Sequence, residues 1–382
     1  MDSADPTDTP DPTDLADTPD PTDLADTTPL PPDDPYAIET LLKSWYDNFN
    51  ENTDQSYLTA DYDLLADGSP EHPDALPHEA YLDVRYGPYS RNRLDFYRAK
   101  EAAGVTPVAV FIHGGGYVAG DKNQVHKPTT DIDRFLEDGI SVASIVYRWA
   151  YKDHEKALGA SIPNDIGETH DVNGTRLDYI MRDCARAIQF LRYKAAEWGI
   201  DKSRIGAFGG SAGAACAMWV ATIPDLANPT AADPVLREST YLTVVGHNNS
   251  QVTNDFTRWP ELLDMPEDFV FSMVGPKAQG LSHMTIEDQA ETVLGKELSS
   301  ILDYYEHLGP DGPAIYSSNG NEDSDETTIK TSGEVIHHPR GHVALHERCV
   351  AMGLECAIKT KILNSGYQGD LIKFMIEQLN KP

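Results

Sequence analysis

The segment that decides the fold is residues 204–214, which read RIGAFGGSAGA. Residues 204–208 have the apolar character of a short buried strand, and Ala212 to Thr222 read as the helix that follows it. Ser211 therefore lies on a strand-to-helix turn of the form G-x-S-x-G, where neighbouring glycines permit a tight backbone. This pattern, the nucleophile elbow, presents a serine hydroxyl at the carboxyl end of a strand. The alternative interpretation is a glycine-rich turn with an ordinary surface serine.

A second glycine-rich motif lies about ninety residues earlier, where residues 110–117 read VFIHGGGY. A His-Gly-Gly-Gly loop after a strand supplies backbone N–H groups that bind a developing oxyanion. By position, we expect these donors to be Gly115, Gly116 and Ala212, and we expect Tyr117 to line the substrate site. The order and spacing of the two motifs fit a single architecture, so together they predict acyl transfer by an activated serine.

Composition bounds the partners of the chain. The 382 residues include 62 acidic and 30 basic residues, which give a net charge of −32. This charge argues against nucleic acids and anionic membrane surfaces as partners. No stretch has the roughly twenty apolar residues of a membrane helix. The four cysteines lack metal-site or redox spacing, and we interpret them as free thiols.

The chain divides into an acidic tail and one large folded region. Residues 1–35 contain a repeat rich in Asp, Pro and Thr, which predicts an extended, solvated tether. Tails of this kind favour export to the periplasm or the outside over a cytoplasmic location. Residues 36–75 are expected to form an N-terminal cap segment, and residues 76–382 the main domain, with cap insertions at 150–175 and 258–305. The sequence leaves a homodimer open.

Strands and helices alternate along the main domain. The predicted strands are 82–86, 92–97, 108–112, 140–147, 204–208, 241–245, 313–317 and 355–363. The predicted helices are 37–49, 177–198, 212–222, 342–352 and 370–379. This alternation is typical of the α/β class and predicts a doubly wound, mostly parallel, eight-stranded sheet with helical cap insertions. Ligands bind at the carboxyl ends of such strands, where both motifs fall.

The chain resembles the α/β-hydrolases that include hormone-sensitive-lipase-type and feruloyl-esterase-like carboxylesterases. The resemblance rests on residues 113–117, Tyr147-Arg148, the sequence WGID at 198–201 and the elbow, and it extends loosely over residues 80–380. It implies a serine carboxylesterase that acts on a small-molecule ester and needs no cofactor. It also implies a histidine base on the turn after the last strand. Here that turn, residues 364–370, reads NSGYQGD, and no histidine follows His346.

Because a serine hydroxyl needs a base, either a histidine from another loop reaches it or the site is weak or inactive towards esters. The first candidate is His337 and the second is His338, both on the loop after the seventh strand. The same loop contains Asp323 and Asp325, where the resemblance places the acid that orients the base. Alternatively, the carboxylates are solvated loop charges and the histidines only begin the next helix. The acidic segment lacks the glycine and the ligand spacing of a calcium loop, so no metal is expected.

A further histidine, His247, ends the sixth predicted strand, and we expect it to line the pocket rather than act as a base. The leading prediction is therefore a serine carboxylesterase that hydrolyses small or sugar-linked esters through an acyl-enzyme. The alternative, suggested by the missing terminal histidine, is a non-catalytic ligand-binding protein on a hydrolase fold.

Overall fold

In a computed structural model of the chain, residues 63–65, 79–99, 104–128, 130–150, 176–282 and 284–382 are described. Nine strands form one sheet in the order β1-β2-β3-β5-β4-β6-β7-β8-β9. The strands are β1 Asp63–Leu65, β2 Ala80–Arg85, β3 Arg93–Tyr97, β4 Thr106–Ile112, β5 Ser141–Val146, β6 Ile200–Gly210, β7 Val244–Asn248, β8 Ala314–Ser318 and β9 Cys356–Lys359. The pairs from β1 to β3 and on to β5 are antiparallel, and the pairs from β5 to β9 are parallel.

Helices connect the parallel strands and form the insertion before β8. They are α1 Ile132–Glu137, α2 Leu177–Tyr193, α3 Ala195–Trp198, α4 Ala212–Thr222, α5 Trp259–Leu263, α6 Glu267–Ser282, α7 Ile286–Glu291, α8 Val293–Leu302, α9 Ser332–Ile336, α10 Pro339–Ala351 and α11 Leu371–Leu379. The four helices α5 to α8 occupy the segment 258–305 that the sequence assigns to the cap.

This architecture confirms the predicted α/β class and the mostly parallel, doubly wound sheet. All eight predicted strands are present, and β1 adds a ninth that lies within the expected cap segment 36–75. The last strand is shorter than predicted, because the chain turns back at residues 360–363, where the Thr360 N–H donates to the Leu363 carbonyl (2.9 Å). The acidic tail, the predicted helix 37–49 and most of the insertion 150–175 lie outside the described residues.

Apolar side chains cover both faces of the parallel strands, as continuous hydrophobic runs require. On one face, Phe208 packs against Phe135 of α1, with 5.3 Å between the ring centroids. On the other face, Trp198 stacks against Phe96 with 5.0 Å between the ring centroids, in the same apolar cluster as residues of helices α2 and α4. Layers on both sides therefore fix the strand ends from which the site is built.

The expectation of four free thiols is wrong for one pair. Cys349, near the end of α10, and Cys356, the first residue of β9, form a disulfide with their Cα atoms 6.3 Å apart. They meet because the short connection from the helix leads the chain directly back to the sheet, which a spacing of seven residues does not reveal. Cys184 and Cys216 are free and buried, as expected.

Candidate active site

The turn at Ser211 has the geometry of a nucleophile elbow. Ser211 adopts φ 53° and ψ −127°, a conformation that costs energy for any residue with a side chain. Its N–H donates to the Asn248 carbonyl at 3.0 Å, which ties the elbow to the next strand. A Cβ atom on Gly213 would lie 2.0 Å from the Ile112 carbonyl oxygen, so only glycine allows α4 to approach β4 this closely.

The glycine loop lies directly beside the elbow. A Cβ atom on Gly114 would lie 3.5 Å from the Cβ atom of Ser211. Gly115 has φ +120°, a backbone conformation that residues with a side chain rarely adopt. Among the described residues, no acceptor takes a hydrogen bond from the N–H of Gly115, Gly116 or Ala212. Within the described part of the chain, all three predicted donors therefore have unused N–H groups, and Gly116 and Ala212 line the same pocket as Ser211.

His113 anchors the glycine loop. Its buried ring stacks on Tyr147 with 4.3 Å between the centroids, and its Nδ1 lies 2.8 Å from the Gly114 carbonyl oxygen. Burial lowers the pKa of His113 to about 3, so the ring is neutral. These contacts fix the loop backbone that carries Gly115 and Gly116.

His337 is the histidine that reaches the serine. Its Nε2 lies 2.8 Å from Ser211 Oγ, within the distance that proton transfer between a serine and its base requires. Burial, and next the charge of Lys277, lower the pKa of the half-buried ring below 6.5. His337 is therefore neutral at pH 7, and its Nε2 is free to accept the hydroxyl proton.

Among the described residues, backbone groups and amides, rather than a carboxylate, hold the turn that carries this imidazole. A hydrogen bond to the Gly333 carbonyl raises the pKa of His337 and opposes the effect of burial. Because Nε2 faces the serine hydroxyl and accepts its proton, the neutral ring carries its own proton on Nδ1. Asn319 and Asn321, on the loop after β8, each donate a side-chain N–H to the His337 carbonyl, at 3.0 and 2.8 Å. The ring is thus held from the backbone of its own turn and from the neighbouring loop.

Neither predicted acid contacts this histidine. Asp323 accepts a hydrogen bond from Arg340 Nε at 2.8 Å, and its nearest imidazole is that of His338, at 3.9 Å. Asp325 is exposed and accepts hydrogen bonds within its own loop from Thr327 and Thr328, which lower its pKa. The structure does not bring either carboxylate together with the Ser211–His337 pair.

His338 has a structural position instead. It is buried and caps α10, where its Nδ1 accepts a hydrogen bond from the Arg340 N–H at 3.3 Å. Since Nδ1 is an acceptor, Nε2 carries the proton, and it donates to the Ser324 carbonyl at 2.9 Å. Both ring nitrogens are used, so neither is directed towards Ser211.

His247 belongs to a buried polar network beneath the elbow. Ser250 Oγ donates to the Ser211 carbonyl at 2.7 Å, and the Ser250 N–H donates to His342 Nε2 at 3.1 Å. His342 Nδ1 therefore carries the proton and donates to Ser317 Oγ at 2.7 Å. Ser317 Oγ lies 3.4 Å from His247 Nδ1, and the network ends where His247 Nε2 meets the Gln251 carbonyl at 3.1 Å. His247 lies behind the reacting serine rather than beside its hydroxyl.

Burial keeps both network histidines neutral. It lowers the pKa of His247 to about 4, and it lowers the pKa of His342 further below its ordinary value, with a contribution from the neighbouring His247. A second proton on His342 Nε2 would face the Ser250 N–H, which is also a donor. Neutrality is thus a condition of the network that holds the Ser211 backbone.

A cavity opens at Ser211. Tyr117 lines it with a buried ring, whose hydroxyl donates to Asn254 Oδ1 at 2.9 Å. The other described lining residues are Gly116, Ala212, Gln251, Phe256, Trp259, Lys277, Leu281 and Ile336. Trp259, Lys277 and Leu281 belong to the insertion 258–305, so this part of the expected cap reaches the reacting serine.

Across the described ranges, no group of three or more His, Cys, Asp or Glu side chains is arranged to hold a metal ion. Within the same ranges, no helix has both the length and the apolar character needed to cross a membrane.

Sequence reasoning missed several residues around the site. These are Asn319, Asn321, Gly333, Ser250, His342 and Lys277. Most of them act through a hydrogen bond whose partner is distant in sequence, and no motif marks such a pair.

Comparison with known proteins agrees with this fold. The BD-FAE family profile matches residues 94–165 and 173–310, which is more than half of the chain. A probable isoprenylcysteine alpha-carbonyl methylesterase of Arabidopsis thaliana is 29% identical over 175 residues, 45% of this chain and 29% of that protein. The protein of the same name from Oryza sativa subsp. japonica is 33% identical over 131 residues, 34% of this chain and 25% of that protein. The chain thus matches less than a third of the length of these relatives.

Two solved structures share the fold. A bifunctional GH43-CE protein of Bacteroides eggerthii superposes with a TM-score of 0.57 at 17% identity, over 79% of this chain and 38% of that one. A truncated carbohydrate esterase from gut microbiota gives a TM-score of 0.53 at 18% identity, over 79% of this chain and 96% of that one. The family match and the shared fold confirm the resemblance seen in the sequence: the chain belongs to the BD-FAE family of feruloyl-esterase-like α/β-hydrolases.

Proposed function

We propose that the chain is a serine carboxylesterase in which Ser211 is the nucleophile and His337 is the base. The observation that carries the proposal is the 2.8 Å contact between Ser211 Oγ and His337 Nε2, beside the unused N–H groups of Gly116 and Ala212. A nucleophile, a neutral base and oxyanion donors are the groups that acyl transfer requires.

In the first half of the reaction, Ser211 Oγ attacks the ester carbonyl carbon while its proton moves to His337 Nε2. The carbonyl oxygen becomes an oxyanion, which the N–H groups of Gly115, Gly116 and Ala212 stabilise. Each such donor contributes about 3 kcal/mol to the transition state. The tetrahedral intermediate then expels the alcohol, which takes the proton from His337, and an acyl-serine ester remains.

In the second half, His337 takes a proton from water, and the resulting hydroxide attacks the acyl-serine carbonyl. The second tetrahedral intermediate breaks down to the free carboxylic acid, and the proton returns to Ser211 Oγ. Asn319 and Asn321 hold the backbone carbonyl of His337, and the Gly333 carbonyl favours the protonated ring. Together they take the orienting and stabilising role that a carboxylate has in most serine hydrolases. No step needs a metal or an organic cofactor.

For the substrate, we propose a small ester or a sugar-linked ester. The apolar rings of Phe256 and Trp259 in the lining of the cavity suit a short acyl chain or an aryl group. The fold shared with a carbohydrate esterase is a reason to include acetylated sugars among the candidates. The binding-protein alternative rested on the missing terminal histidine, and an imidazole within reach of Ser211 weighs against it.

The test is hydrolysis of 4-nitrophenyl acetate, followed by a panel of acetylated sugars, feruloyl esters and short-chain aryl esters. Ser211→Ala is expected to lose about a thousandfold or more in kcat while it keeps the parent melting temperature. An equally fast Ser211→Ala variant would show that the assigned nucleophile is wrong. Inertness of the parent towards the whole panel would favour the binding protein.

A further inference from the structure

One charged side chain lines the cavity at Ser211 among the described residues, and it is Lys277 of α6. A Cβ atom placed on Gly116 would lie 3.4 Å from Lys277 Nζ. The cap helix therefore directs an ammonium group at the loop that we assign to the oxyanion. A substrate bound at Ser211 has to pass close to this charge.

The surroundings of Lys277 strengthen its electrostatic effect. The side chain is partly buried, and burial lowers its pKa. Phe256, Trp259 and Leu281 contribute apolar surface to the same cavity. Charges interact more strongly in such surroundings than in water. The charge also reaches the reacting groups, because it lowers the pKa of His337.

A local cation matters more in this chain than in a neutral one. The net charge of −32 repels anionic molecules from the surface at long range. A neutral ester gains little in ground-state binding from an ammonium group. A carboxylate on the substrate would instead form a charge-assisted hydrogen bond with one of its three N–H donors.

We propose that Lys277 is a specificity-determining residue that binds an anionic group of the substrate, so that the preferred esters carry a carboxylate on their acyl or alcohol part. This proposal rests on the proposed ester hydrolysis at Ser211. It places the carboxylate within reach of Nζ while the ester carbonyl occupies the loop at Gly116.

The test compares anionic esters with neutral esters of the same shape. For the acyl part, 4-nitrophenyl hemisuccinate is paired with 4-nitrophenyl 4-methylpentanoate. For the alcohol part, 4-acetoxybenzoate is paired with 4-isopropylphenyl acetate. The assays are run at pH 8, where His337 is neutral in every variant. The pair that responds identifies the part of the substrate that carries the charge.

The readout is the ratio of kcat/KM for the anionic ester to kcat/KM for its neutral partner. Lys277→Met is expected to lower this ratio about ten- to a hundredfold for one pair, mainly through KM, since hydrogen bonds to charged groups have this strength. Lys277→Arg is expected to retain most of the preference. Lys296→Met is the matched control, because it removes an exposed lysine from α8 of the same insertion.

Two results would overturn the proposal. If Lys277→Met changes neither the ratio nor the individual kcat/KM values, substrates do not contact the ammonium. If it lowers kcat/KM equally for anionic and neutral esters, so that the ratio again stays unchanged, the ammonium acts in the transition state alone. Calorimetry distinguishes failure of the Lys277 proposal from failure of the esterase mechanism. Succinate is expected to bind the Ser211→Ala variant, and to bind the Ser211→Ala/Lys277→Met double variant at least tenfold more weakly. That measurement needs no hydrolysis, whereas an unimpaired Ser211→Ala enzyme would refute the esterase mechanism alone.

Discussion

Two turns at the same edge of the sheet behave differently, and the contrast explains the site. The base turn, residues 333–338, lies on the connection after β8 and leads from the short helix α9 to the start of α10. The terminal turn, residues 364–369, follows β9. The base turn directs His337 into the protein, 2.8 Å from Ser211. The terminal turn is mostly exposed and closes on its own strand through a bridge between Asn364 and Lys359. The carboxyl edge of a parallel sheet thus offers more than one loop from which a base can reach the elbow.

The partners of each turn account for the difference. Glu334 completes a capping box with Thr331, which fixes the start of the short helix before His337. Asn319 and Asn321 then bind the carbonyl of His337 itself. In the terminal turn, by contrast, Tyr367 packs edge-on against Phe374 of the following helix. One turn is tied to the active-site loops and the other to the outer helix.

The largest expected effect separates the two turns directly. His337→Ala is expected to lower kcat for 4-nitrophenyl acetate by about three orders of magnitude or more, because the serine loses its proton acceptor. Gln368→Ala, in the terminal turn, is expected to change kcat less than about twofold. Steady-state kinetics on the two variants, with circular dichroism as the folding control, measure the contrast. A large loss in Gln368→Ala would mean that the terminal turn still serves catalysis.

The next effect concerns stability in acid, which depends on histidines that are buried and neutral in the folded protein. The base turn leads into the helix that carries one of them, His342. In the folded state, the pKa values of His113 and His247 are lowered to about 3 and about 4. Their contribution to stability is complete above 6.5, the ordinary pKa, and is lost as the pH falls from 6.5 towards the folded values. Each group costs about 1.4 kcal/mol per pH unit in that window.

Urea unfolding at pH 7.5, 5.5 and 4.5 measures this loss. The free energy of unfolding is expected to fall by more than about 2 kcal/mol between pH 7.5 and 5.5, since at least two buried histidines contribute. His247→Asn removes one titrating group and is expected to flatten the slope by about one proton. A free energy that stays constant down to pH 4.5 would contradict the neutral network beneath the elbow.

A smaller effect is expected at the serine that holds the elbow. Ser250→Ala removes the 2.7 Å hydrogen bond to the Ser211 carbonyl and is expected to lower kcat about five- to tenfold with little change in KM. Ser365→Ala is the matched control, because that hydroxyl accepts a hydrogen bond from the Ile358 N–H in the terminal turn. Equal kcat values in the two variants would show that Ser250 has no positioning role.

The smallest effects are expected at the two acids of the β8 loop. Asp323→Asn and Asp325→Asn are each expected to keep kcat within about threefold of the parent, because neither carboxylate contacts His337. Steady-state kinetics at pH 7.5 measure kcat for the two variants and the parent. A loss of a hundredfold or more in either variant would mean that the loop rearranges to bring that carboxylate to the imidazole during the reaction.

The contrast between the two turns also marks what the sequence could predict. The elbow and the glycine loop are local motifs in which strand, turn and helix are contiguous, so Ser211, Gly116 and Ala212 could be assigned from spacing alone. His337 could be named as a candidate because few histidines are available near the strand ends. Its partners could not, because Asn319 and Gly333 act through backbone carbonyls and carry no family signature. The Cys349–Cys356 disulfide was missed for a similar reason, since it depends on how a helix returns to the sheet.

The central claim is that His337, and not His338, takes the proton of Ser211. An alkyl fluorophosphonate tests it most directly, because phosphonylation of Ser211 Oγ needs the base but no substrate pocket beyond the elbow. Mass spectrometry of the peptide that contains Ser211 gives the labelling rate for the parent, His337→Ala and His338→Ala. We predict that the parent and His338→Ala are labelled at rates within about threefold of each other, while His337→Ala is slower by about a hundredfold or more. Equal labelling of His337→Ala and the parent would contradict the account.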